Sequence, residues 1–419
     1  MSAEVGSQAK RPYDAADIRI LVLGGGFAGH MAARTLAAQL RSVERVAILL
    51  VNRDDAMLYT PLLWKVAAGE IPARDAVIPY HDVDQGFAVL TAEVEKIDLE
   101  RRQVRTSAGV HPYDVLVVAL GSVPAVPDLS DVRRNALTFH TLSDAVGVRA
   151  RLRKAVEAAR DEPDPAERRA LLTAAVVGGG DTGVELAATM REYLTSAVRR
   201  RLPGAPADLV RVVLLEREAR LMPFGPPAVS ATLQQILESQ GVEIRLNEAV
   251  TGVEPGVLMT SRGAVPARTI VWATGVRAPD VVRRLPGRHA VNGAVLVDSY
   301  LRLPGYPDVY VIGDAAAIYG RADALVPATA QAAEGEGRYA AMVIARALAG
   351  YEIRPYRYTT RGHLTLLGRR NGLAEVGPAT IAGLPAWLLW HGYYLSRLPA
   401  GRRRASLATD LALGSLRRR

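Results

Sequence analysis

The chain has 419 residues, which is more than one hydrophobic core usually supports, so we expect two or three domains. Hydrophobic residues make up 49% and charged residues 23%, proportions that are typical of a globular protein and exclude a disordered one. There is no cysteine, which excludes disulfides, thiolate metal sites and redox-active cysteine pairs, so any electron transfer requires a bound cofactor. The seven histidines lack the spacing of metal ligands, and we expect no metal site.

The net charge of +9 is concentrated near the C-terminus, since residues 346–419 contain 13 arginines and three acidic residues. A local excess of arginine favours an anionic surface, either nucleic acid or a membrane. Residues 1–16 are polar and lack the apolar segment of a secretory signal. We therefore expect a location on the cytoplasmic face of a membrane rather than export.

The first organised segment predicts a strand, a tight turn and a helix. Residues 20–23 are an apolar strand, and the glycine spacing Gly24-x-Gly26-x-x-Gly29 follows before an alanine-rich helix. Such a loop lets the backbone approach a pyrophosphate, and the helix N-terminus directs its N–H groups at the phosphates. The alternative is a glycine turn that only connects the strand to the helix. The candidate contacts are Gly24, Gly25, Gly26, Phe27, Ala28 and Gly29.

A second apolar strand, residues 46–51, completes this βαβ unit and is followed by Asn52 and Arg53. An acidic residue often holds a ribose hydroxyl at this point. The amide of Asn52 can make the same hydrogen bond without the charge, so Asn52 is a candidate ribose contact, with a plain strand cap as the alternative.

The same pattern recurs 154 residues later. An apolar strand, residues 171–177, precedes Gly178-x-Gly180-x-x-Gly183 and a helix, and Thr182 lies within this loop. Residues 210–215 then predict a strand that ends at Glu216. A carboxylate there accepts hydrogen bonds from ribose hydroxyls and repels a 2′-phosphate, which favours NADH over NADPH, although Arg217 and Arg220 nearby weaken that preference.

Small residues follow several further apolar strands, where the backbone can pass close to a dinucleotide. These positions are Ala119 and Gly121, Gly275, and Gly313 with Asp314. Asp314 is well placed to accept a hydrogen bond from a polyol hydroxyl, and a helix-capping aspartate is the alternative.

The order of these motifs resembles that of the flavoproteins with two dinucleotide-binding domains, in the pyridine nucleotide-disulfide oxidoreductase superfamily. Within them the chain is similar to the type II NADH:quinone oxidoreductases. More specific elements carry this resemblance: Thr60-Pro61-Leu62-Leu63, Thr182-Gly183-Val184-Glu185-Leu186, Ala330-Gln331-Ala332-Ala333 and Ala386-Trp387-Leu388-Leu389-Trp390.

The resemblance implies an α/β fold with two Rossmann-like domains. An FAD domain, residues 17–140 and 277–345, would be split by an inserted NADH domain, residues 141–276, and a membrane-binding segment, residues 346–419, would follow. The first glycine loop and Gly313–Asp314 would hold FAD, while the second loop and Glu216 would hold NADH.

The resemblance also implies the two catalytic residues. The pair Ala330 and Gln331 would lie beside the flavin at the quinone pocket, and Glu185 near the nicotinamide. Some positions depart from the family pattern, notably Asp181, which stands where proline is common and adds a negative charge near the NADH pyrophosphate. Glu334 and Glu336 are acids near the quinone mouth, and we expect solvated helix residues there rather than proton relays.

Without cysteine, disulfide reductases and sulfide:quinone oxidoreductases are excluded, so electrons must leave the flavin directly for a quinone, a one-electron protein such as a ferredoxin, or oxygen. The apolar, aromatic-rich residues 384–398, followed by Arg402–Arg404 and Arg417–Arg419, favour an interfacial membrane helix. A dimerisation helix and a spanning helix are the alternatives for this segment, and such a surface can also pair two subunits. Nucleic acid is a poor alternative.

Two competing functions remain. A soluble NAD(P)H-dependent ferredoxin or rubredoxin reductase shares this core but predicts a packed β-sheet near the C-terminus, whereas we expect a helical tail. A flavin-binding signalling protein, with incidental redox turnover, is the second. Our leading prediction is a respiratory, peripheral-membrane NADH:quinone oxidoreductase that does not pump protons.

Overall fold

The computed structural model describes residues 13–80, 86–127, 130–320, 324–377 and 379–397. The helices are α1 (Phe27–Gln39), α2 (Leu63–Ala67), α3 (Ser130–Asn135), α4 (Leu142–Asp161), α5 (Pro165–Leu171), α6 (Asp181–Arg201), α7 (Pro227–Ser239), α8 (Asp280–Arg283), α9 (Ala330–Leu348) and α10 (Leu384–Arg397). None of the described helices is both long enough and apolar enough to cross a membrane.

The strands of the first half are β1 (Ile18–Leu23), β2 (Val46–Asn52), β3 (Ala56–Leu58), β4 (Val77–Pro79), β5 (Ala88–Thr91), β6 (Val94–Asp98), β7 (Gln103–Thr106), β8 (Gly109–Pro112), β9 (Val115–Val118), β10 (Val123–Pro124), β11 (Leu137–Thr138) and β12 (Thr173–Val177). Those of the second half are β13 (Arg211–Leu215), β14 (Val242–Arg245), β15 (Val250–Glu254), β16 (Val257–Thr260), β17 (Gly263–Pro266), β18 (Thr269–Trp272), β19 (Val276–Arg277), β20 (Val295–Leu296), β21 (Arg302–Leu303), β22 (Tyr306–Val311), β23 (Ala316–Ala317), β24 (His363–Leu366), β25 (Gly372–Val376) and β26 (Ala379–Ala382).

The chain divides into two compact units. The first comprises the described parts of Met1–Met57, Ile78–Val123 and Arg277–Thr360. Its main sheet has the order β21-β22-β9-β1-β2-β5, in which β1 pairs in parallel with both β2 and β9, and β9 pairs in parallel with β22. The register aligns Leu23 with Val51 and with Val118, so the carboxyl ends of these strands share one edge.

The second unit comprises the described parts of Leu58–Val77, Pro124–Val276 and Arg361–Arg419. Its parallel sheet has the order β11-β18-β12-β13-β14. Val177 pairs with Leu215 and with Trp272, which again aligns the carboxyl ends of three strands. Two mainly parallel α/β sheets are therefore present, and in such sheets ligands bind beyond the carboxyl ends of the strands.

The strands form where apolar runs are buried on both faces of a sheet. Ile20, Leu21, Val22 and Leu23 are all fully buried in β1, and the residues of β12 are buried throughout. Continuous apolar burial of this kind is typical of parallel sheets covered by helices. Helix α9 packs closely on α1, and Gly337 makes this possible because a Cβ there would lie 2.2 Å from the carbonyl oxygen of Ala28.

The C-terminal region corrects our expectation of a helical tail. Three antiparallel strands, β24, β25 and β26, precede α10 and form their own sheet. The helix predicted from residue 384 is confirmed and extends to Arg397. The arginine clusters at residues 402–404 and 417–419 lie outside the described residues.

Candidate functional site

The first glycine loop turns directly after β1 and leaves no room for a side chain at Gly24 or Gly29. Gly24 has a φ of +92°, and a Cβ there would lie 2.2 Å from the carbonyl oxygen of Ala119. A Cβ at Gly29 would lie 1.9 Å from the carbonyl oxygen of Gly24. These glycines are required by the close approach of three backbone segments, as the spacing predicts.

Two side chains brace this loop. The N–H of Gly25 donates a hydrogen bond of 2.8 Å to Oδ1 of Asn52, and the hydroxyl of Tyr80 donates one of 2.8 Å to the carbonyl of Gly25. Nδ2 of Asn52 donates to the carbonyl of Asp54. Asn52 thus has a positioning role that neither of our two interpretations of this residue included, and Tyr80 was missed because no local pattern marks it. Arg53 is exposed beside Asp54.

Helix α1 begins at this loop without a side-chain cap. Its N-cap is Gly26, and a hypothetical Cβ on Gly26 meets no described atom within 4 Å. Phe27 is half-buried and Ala28 is buried in the first turn. By contrast, Thr141 caps α4 and Thr329 caps α9. The N-terminus of α1 therefore has no N-cap side chain and has open space beside Gly26, which suits an anionic group.

Asp314 and Gly313 follow β22 at the same edge of the sheet. The hydroxyl of Ser122 donates to Oδ2 of Asp314 at 2.7 Å, and the N–H of Gly313 donates to Oε2 of Glu336 at 2.6 Å. Asp314 lies within a short 3₁₀ turn, Gly313–Ala315, rather than capping a long helix. Gly121 nearby has a φ of +64°.

Glu336 corrects a second expectation, because we predicted a solvated helix residue. Its relative exposure is only 3%, and burial, with a contribution from the charge of Asp314, raises its pKa to about 7. Glu336, Gly313 and Asp314 line a cavity of about 100 Å³ with Thr329 and Ala332. Ala330 and Gln331 form the first turn of α9, and both are half-buried.

The second loop repeats the geometry of the first. Gly178 has a φ of +110°, and a Cβ there would lie 2.4 Å from the carbonyl oxygen of Ala273. A Cβ at Gly183 would lie 1.8 Å from the carbonyl oxygen of Gly178. Gly180 is the N-cap of α6, no side chain caps the helix, and a Cβ on Gly180 meets no described atom within 4 Å.

Glu216 occupies the position that Asn52 holds in the first unit. Its Oε2 accepts from the N–H of Gly179 at 2.6 Å, and its Oε1 accepts from the N–H of Glu218 at 2.9 Å. Thr182 is exposed on the first turn of α6, and Gly275, with a φ of +111°, follows β18 at the same edge. The structure thus brings the predicted residues of each loop together within their own unit.

Glu185 lies one turn into α6, against the C-terminal sheet. The N–H of Leu366 donates to its Oε1 at 3.1 Å. Burial, with a smaller contribution from the charge of Asp181, raises the pKa of Glu185 to about 8, although the Leu366 N–H, His363 and Lys65 act in the opposite direction. The carboxyl group therefore holds a proton at neutral pH, as a general acid requires.

Lys65 is a functional candidate that our interpretation of residues 58–69 as plain core missed. Its side chain is 1% exposed, its Nζ lies 3.2 Å from Oε2 of Glu70, and it lies 4.4 Å from the centroid of the Trp64 ring. Burial lowers the pKa of Lys65, against the charges of Glu70, Glu192 and Glu185. The signal was present, since Lys65 is the only charged residue in that apolar stretch.

Comparisons with known proteins decide the family. The family model described as pyridine nucleotide-disulphide oxidoreductase matches residues 18–337. Type II NADH:quinone oxidoreductase Ndh of Mycobacterium tuberculosis is 32% identical over 91% of this chain and 84% of its own length. The chain belongs to the type II NADH:quinone oxidoreductases. The family predicted from the order of motifs is confirmed.

The chain is also similar to another curated member of this family and to a solved structure. A type II NADH:quinone oxidoreductase of Staphylococcus saprophyticus is 27% identical over 88% of this chain and 92% of its own length. The structure of NDH2 from Plasmodium falciparum in complex with NADH covers 94% of this chain and 97% of its own, with a TM-score of 0.83 and 17% identity. The latter likeness confirms the predicted mixed α/β dinucleotide-binding fold of this family member.

Proposed function

We propose that this family member oxidises NADH through bound FAD and reduces a membrane quinone, without pumping protons. The observation that carries the proposal is the 32% identity to a type II NADH:quinone oxidoreductase over nearly the whole chain. The two glycine loops support it, because each ends in an uncapped helix that faces open space. Such sites fit the pyrophosphate of a dinucleotide.

We assign FAD to the first unit. The residues that would hold it are Gly24, Gly25, Gly26, Phe27, Ala28, Gly29, Asn52, Arg53, Ala119, Gly121, Gly313, Asp314, Ala330 and Gln331. Asp314, held by Ser122, has an acceptor oxygen for a polyol hydroxyl, and the open N-terminus of α1 suits the phosphates. When bound, FAD supplies the hydride acceptor and the two-electron reductant.

We assign NADH to the second unit. The residues that would hold it are Gly178, Gly180, Thr182, Gly183, Glu216 and Gly275. Glu216 already accepts two backbone N–H groups, and the remaining lone pairs of its carboxylate suit ribose hydroxyls. A fixed carboxylate also disfavours a 2′-phosphate, and we therefore infer a preference for NADH.

Two side chains carry the remaining chemistry. Glu185 holds a proton at its carboxyl group near neutral pH and is the candidate donor for quinone reduction, which requires two protons. We propose that Gln331, on the first turn of α9, hydrogen-bonds a quinone carbonyl through its side-chain amide. In domain terms, residues 17–140 and 277–345 would form the FAD domain, residues 141–276 the NADH domain and residues 346–419 the membrane-associated segment.

The membrane proposal rests on an exposed stripe of α10. Leu384, Leu388 and Leu389 are 49%, 56% and 44% exposed. Of the aromatic residues that we expected at the membrane, Trp390 is instead buried against Trp64, with ring centroids 6.0 Å apart. We infer that the leucines insert among lipid headgroups on the cytoplasmic face, as a peripheral helix does, and that the same face is available for pairing two subunits.

One observation favours a second candidate function. The sheet β24–β26 is the kind of C-terminal sheet that we expected of a ferredoxin reductase. A ferredoxin reductase from Rhodopseudomonas palustris has a TM-score of 0.67 over 85% of this chain, lower than that of NDH2.

An anaerobic titration tests the proposal against this alternative. We expect the purified protein to be yellow, to lose its flavin absorbance on addition of one equivalent of NADH, and to recover it on addition of a short-chain quinone. Recovery with an iron–sulfur protein and none with any quinone would favour the reductase.

A further inference from the structure

The second glycine loop carries an acidic residue at a position that an anionic ligand would approach. Asp181 is the first residue of α6, directly after the N-cap Gly180, and about half of its side chain is exposed. A carboxylate in the first turn stabilises an empty helix but repels a pyrophosphate bound at the same N-terminus. The protein must therefore offset this charge if NADH binds there.

Strand β24 supplies the offsetting group. Nε2 of His363 lies 2.6 Å from Oδ1 of Asp181, and the hydroxyl of Thr365 donates to the same oxygen at 3.3 Å. Residues 363 and 365 alternate onto one face of the strand, which lies against the start of α6. The backbone N–H of Leu366 donates a hydrogen bond to the carboxyl group of Glu185, one turn further along the helix. Strand β24 is thus hydrogen-bonded to the first two turns of α6, directly after the glycine loop.

The surroundings of His363 favour its charged form. Burial lowers its pKa, but the hydrogen bond and charge of Asp181, with the charge of Glu375 on β25, raise it above the usual value for histidine. Glu185 on α6 adds to this effect only where it is ionised, above about pH 8. Helix α10 also packs on β24, and its ionisable side chains among the described residues are His391, Tyr393, Tyr394 and Arg397. His391 is neutral near pH 7, because burial and Lys65 lower its pKa to about 4.

We propose that His363 is a positioning residue for NADH, whose protonated ring neutralises Asp181 so that the dinucleotide pyrophosphate can bind at the start of α6. This inference rests on the proposed assignment of NADH to the second loop. Its consequence is a pH-dependent affinity. Below the pKa of His363 the pair is neutral, and above it Asp181 presents an unbalanced negative charge to the ligand.

ADP-ribose is the suitable probe, because it carries the pyrophosphate without the nicotinamide and cannot reduce the flavin. Its pyrophosphate is a diester with no group that titrates between pH 6 and pH 8.5, so a change in affinity reports on the protein. Calorimetry on the FAD-loaded protein at these two pH values gives the dissociation constant. We expect the wild type to bind about fivefold more weakly at pH 8.5, the effect of one partly screened charge.

Three variants separate charge from structure. His363→Gln keeps a hydrogen-bond donor without charge and should bind weakly at both pH values. His363→Lys keeps the charge and should bind at pH 8.5 more tightly than the wild type does at that pH. Asp181→Asn removes the repulsion and should also bind more tightly than the wild type at pH 8.5, and any weakening that remains in both variants comes from Glu185, which ionises near pH 8. His111→Gln, at a histidine that hydrogen-bonds Thr106 in the other unit, is the matched control and should behave as the wild type.

The outcomes distinguish two failures. If all proteins contain FAD and none binds ADP-ribose, the assignment of NADH to this loop fails, and the role of His363 fails with it. If the wild type binds equally at both pH values, or Asp181→Asn retains the pH dependence of the wild type, then only the role of His363 is overturned. A purely structural role would weaken binding in His363→Lys as much as in His363→Gln.

Discussion

At the residue scale, the carboxyl group of Glu185 is the most informative single group. The βαβ pattern predicts only that Glu185 lies in a helix. Its catalytic role was predicted from the family resemblance alone. The structure adds the physical reason, because burial against β24 holds the carboxyl protonated at neutral pH. A proton donor for quinone reduction needs this property.

Replacement of Glu185 by Gln tests that role. The folded pKa of about 8 lies above the usual value of 4.5, so the donor is present below pH 8 and is lost as the pH rises through it. We expect turnover to fall about tenfold to a hundredfold in Glu185→Gln. We also expect the decline of wild-type rate above pH 8 to vanish in the variant, while FAD content stays unchanged. If the wild type and Glu185→Gln turned over at equal rates at every pH, Glu185 would have no role in the mechanism.

Two equivalent glycines test the assignment of the two loops. Gly26 and Gly180 are N-caps at which a Cβ meets no described atom, so alanine should leave the fold intact but project into the space assigned to phosphates. We expect Gly26→Ala to lower the FAD content of the purified protein. We expect Gly180→Ala to keep its FAD but raise the KM for NADH about tenfold, equivalent to the loss of one to two hydrogen bonds.

Gly147→Ala is the control for both variants. Gly147 lies inside α4 with open space around it, and alanine there should raise the free energy of unfolding by about 0.5–1 kcal/mol without changing either cofactor. If Gly180→Ala lost its FAD and Gly26→Ala instead raised the KM for NADH, FAD would belong to the second loop and NADH to the first.

At the element scale, the strand–loop–helix units were predictable and the C-terminal sheet was not. The strands β1, β2, β12 and β13 are continuous apolar runs next to glycine loops, so local pattern alone identifies them. In β24–β26, by contrast, polar residues lie among apolar ones in short strands, and no glycine loop with the Gly-x-Gly-x-x-Gly spacing follows them. The pairing of these strands and their packing on α10 depend on tertiary contacts, which the periodicity of hydrophobic residues along the sequence does not indicate.

The same limit applies to individual side chains. Asn52, Glu216 and Asp314 were predicted from their places at strand ends. Tyr80 and His363 were not, because their roles come from contacts with residues 55 and 182 positions away. Sequence pattern therefore located the loops, and the structure was needed to show what braces them.

The exposed leucines of α10 yield a prediction for membrane binding. Truncation near Gly383 would be a poor test, because it would remove Trp390 from the core. Substitution of Leu384, Leu388 and Leu389 by Ser leaves the buried face intact. Each leucine contributes about 1 kcal/mol when its remaining surface enters lipid, so we expect binding to anionic vesicles to weaken by about a hundredfold in the triple variant.

A set of valines provides the control for this measurement. Val43, Val110 and Val146 are 41%, 52% and 45% exposed outside α10, and their replacement by Ser should leave vesicle binding unchanged. Equal binding by both triple variants would show that α10 does not contact the membrane, and sedimentation with vesicles gives the result.

At the scale of the whole molecule, two α/β sheets were predicted from two copies of one motif, and both are present. The boundaries of the compact units differ from those that the resemblance implied. Residues 58–77 and the described residues after 361 group with the unit of the second glycine loop. The aromatic contacts of Trp64 with Trp390 and of Tyr59 with Tyr394 show why, since they join residues more than 320 positions apart.

Steady-state NADH oxidation by the purified FAD-loaded protein, with a short-chain quinone as acceptor, tests the central claim most directly. We expect one quinone reduced per NADH oxidised at about 1–1,000 turnovers per second, and little activity with oxygen alone or with a ferredoxin. A protein that retains FAD but oxidises NADH negligibly with every quinone supplied would contradict the account.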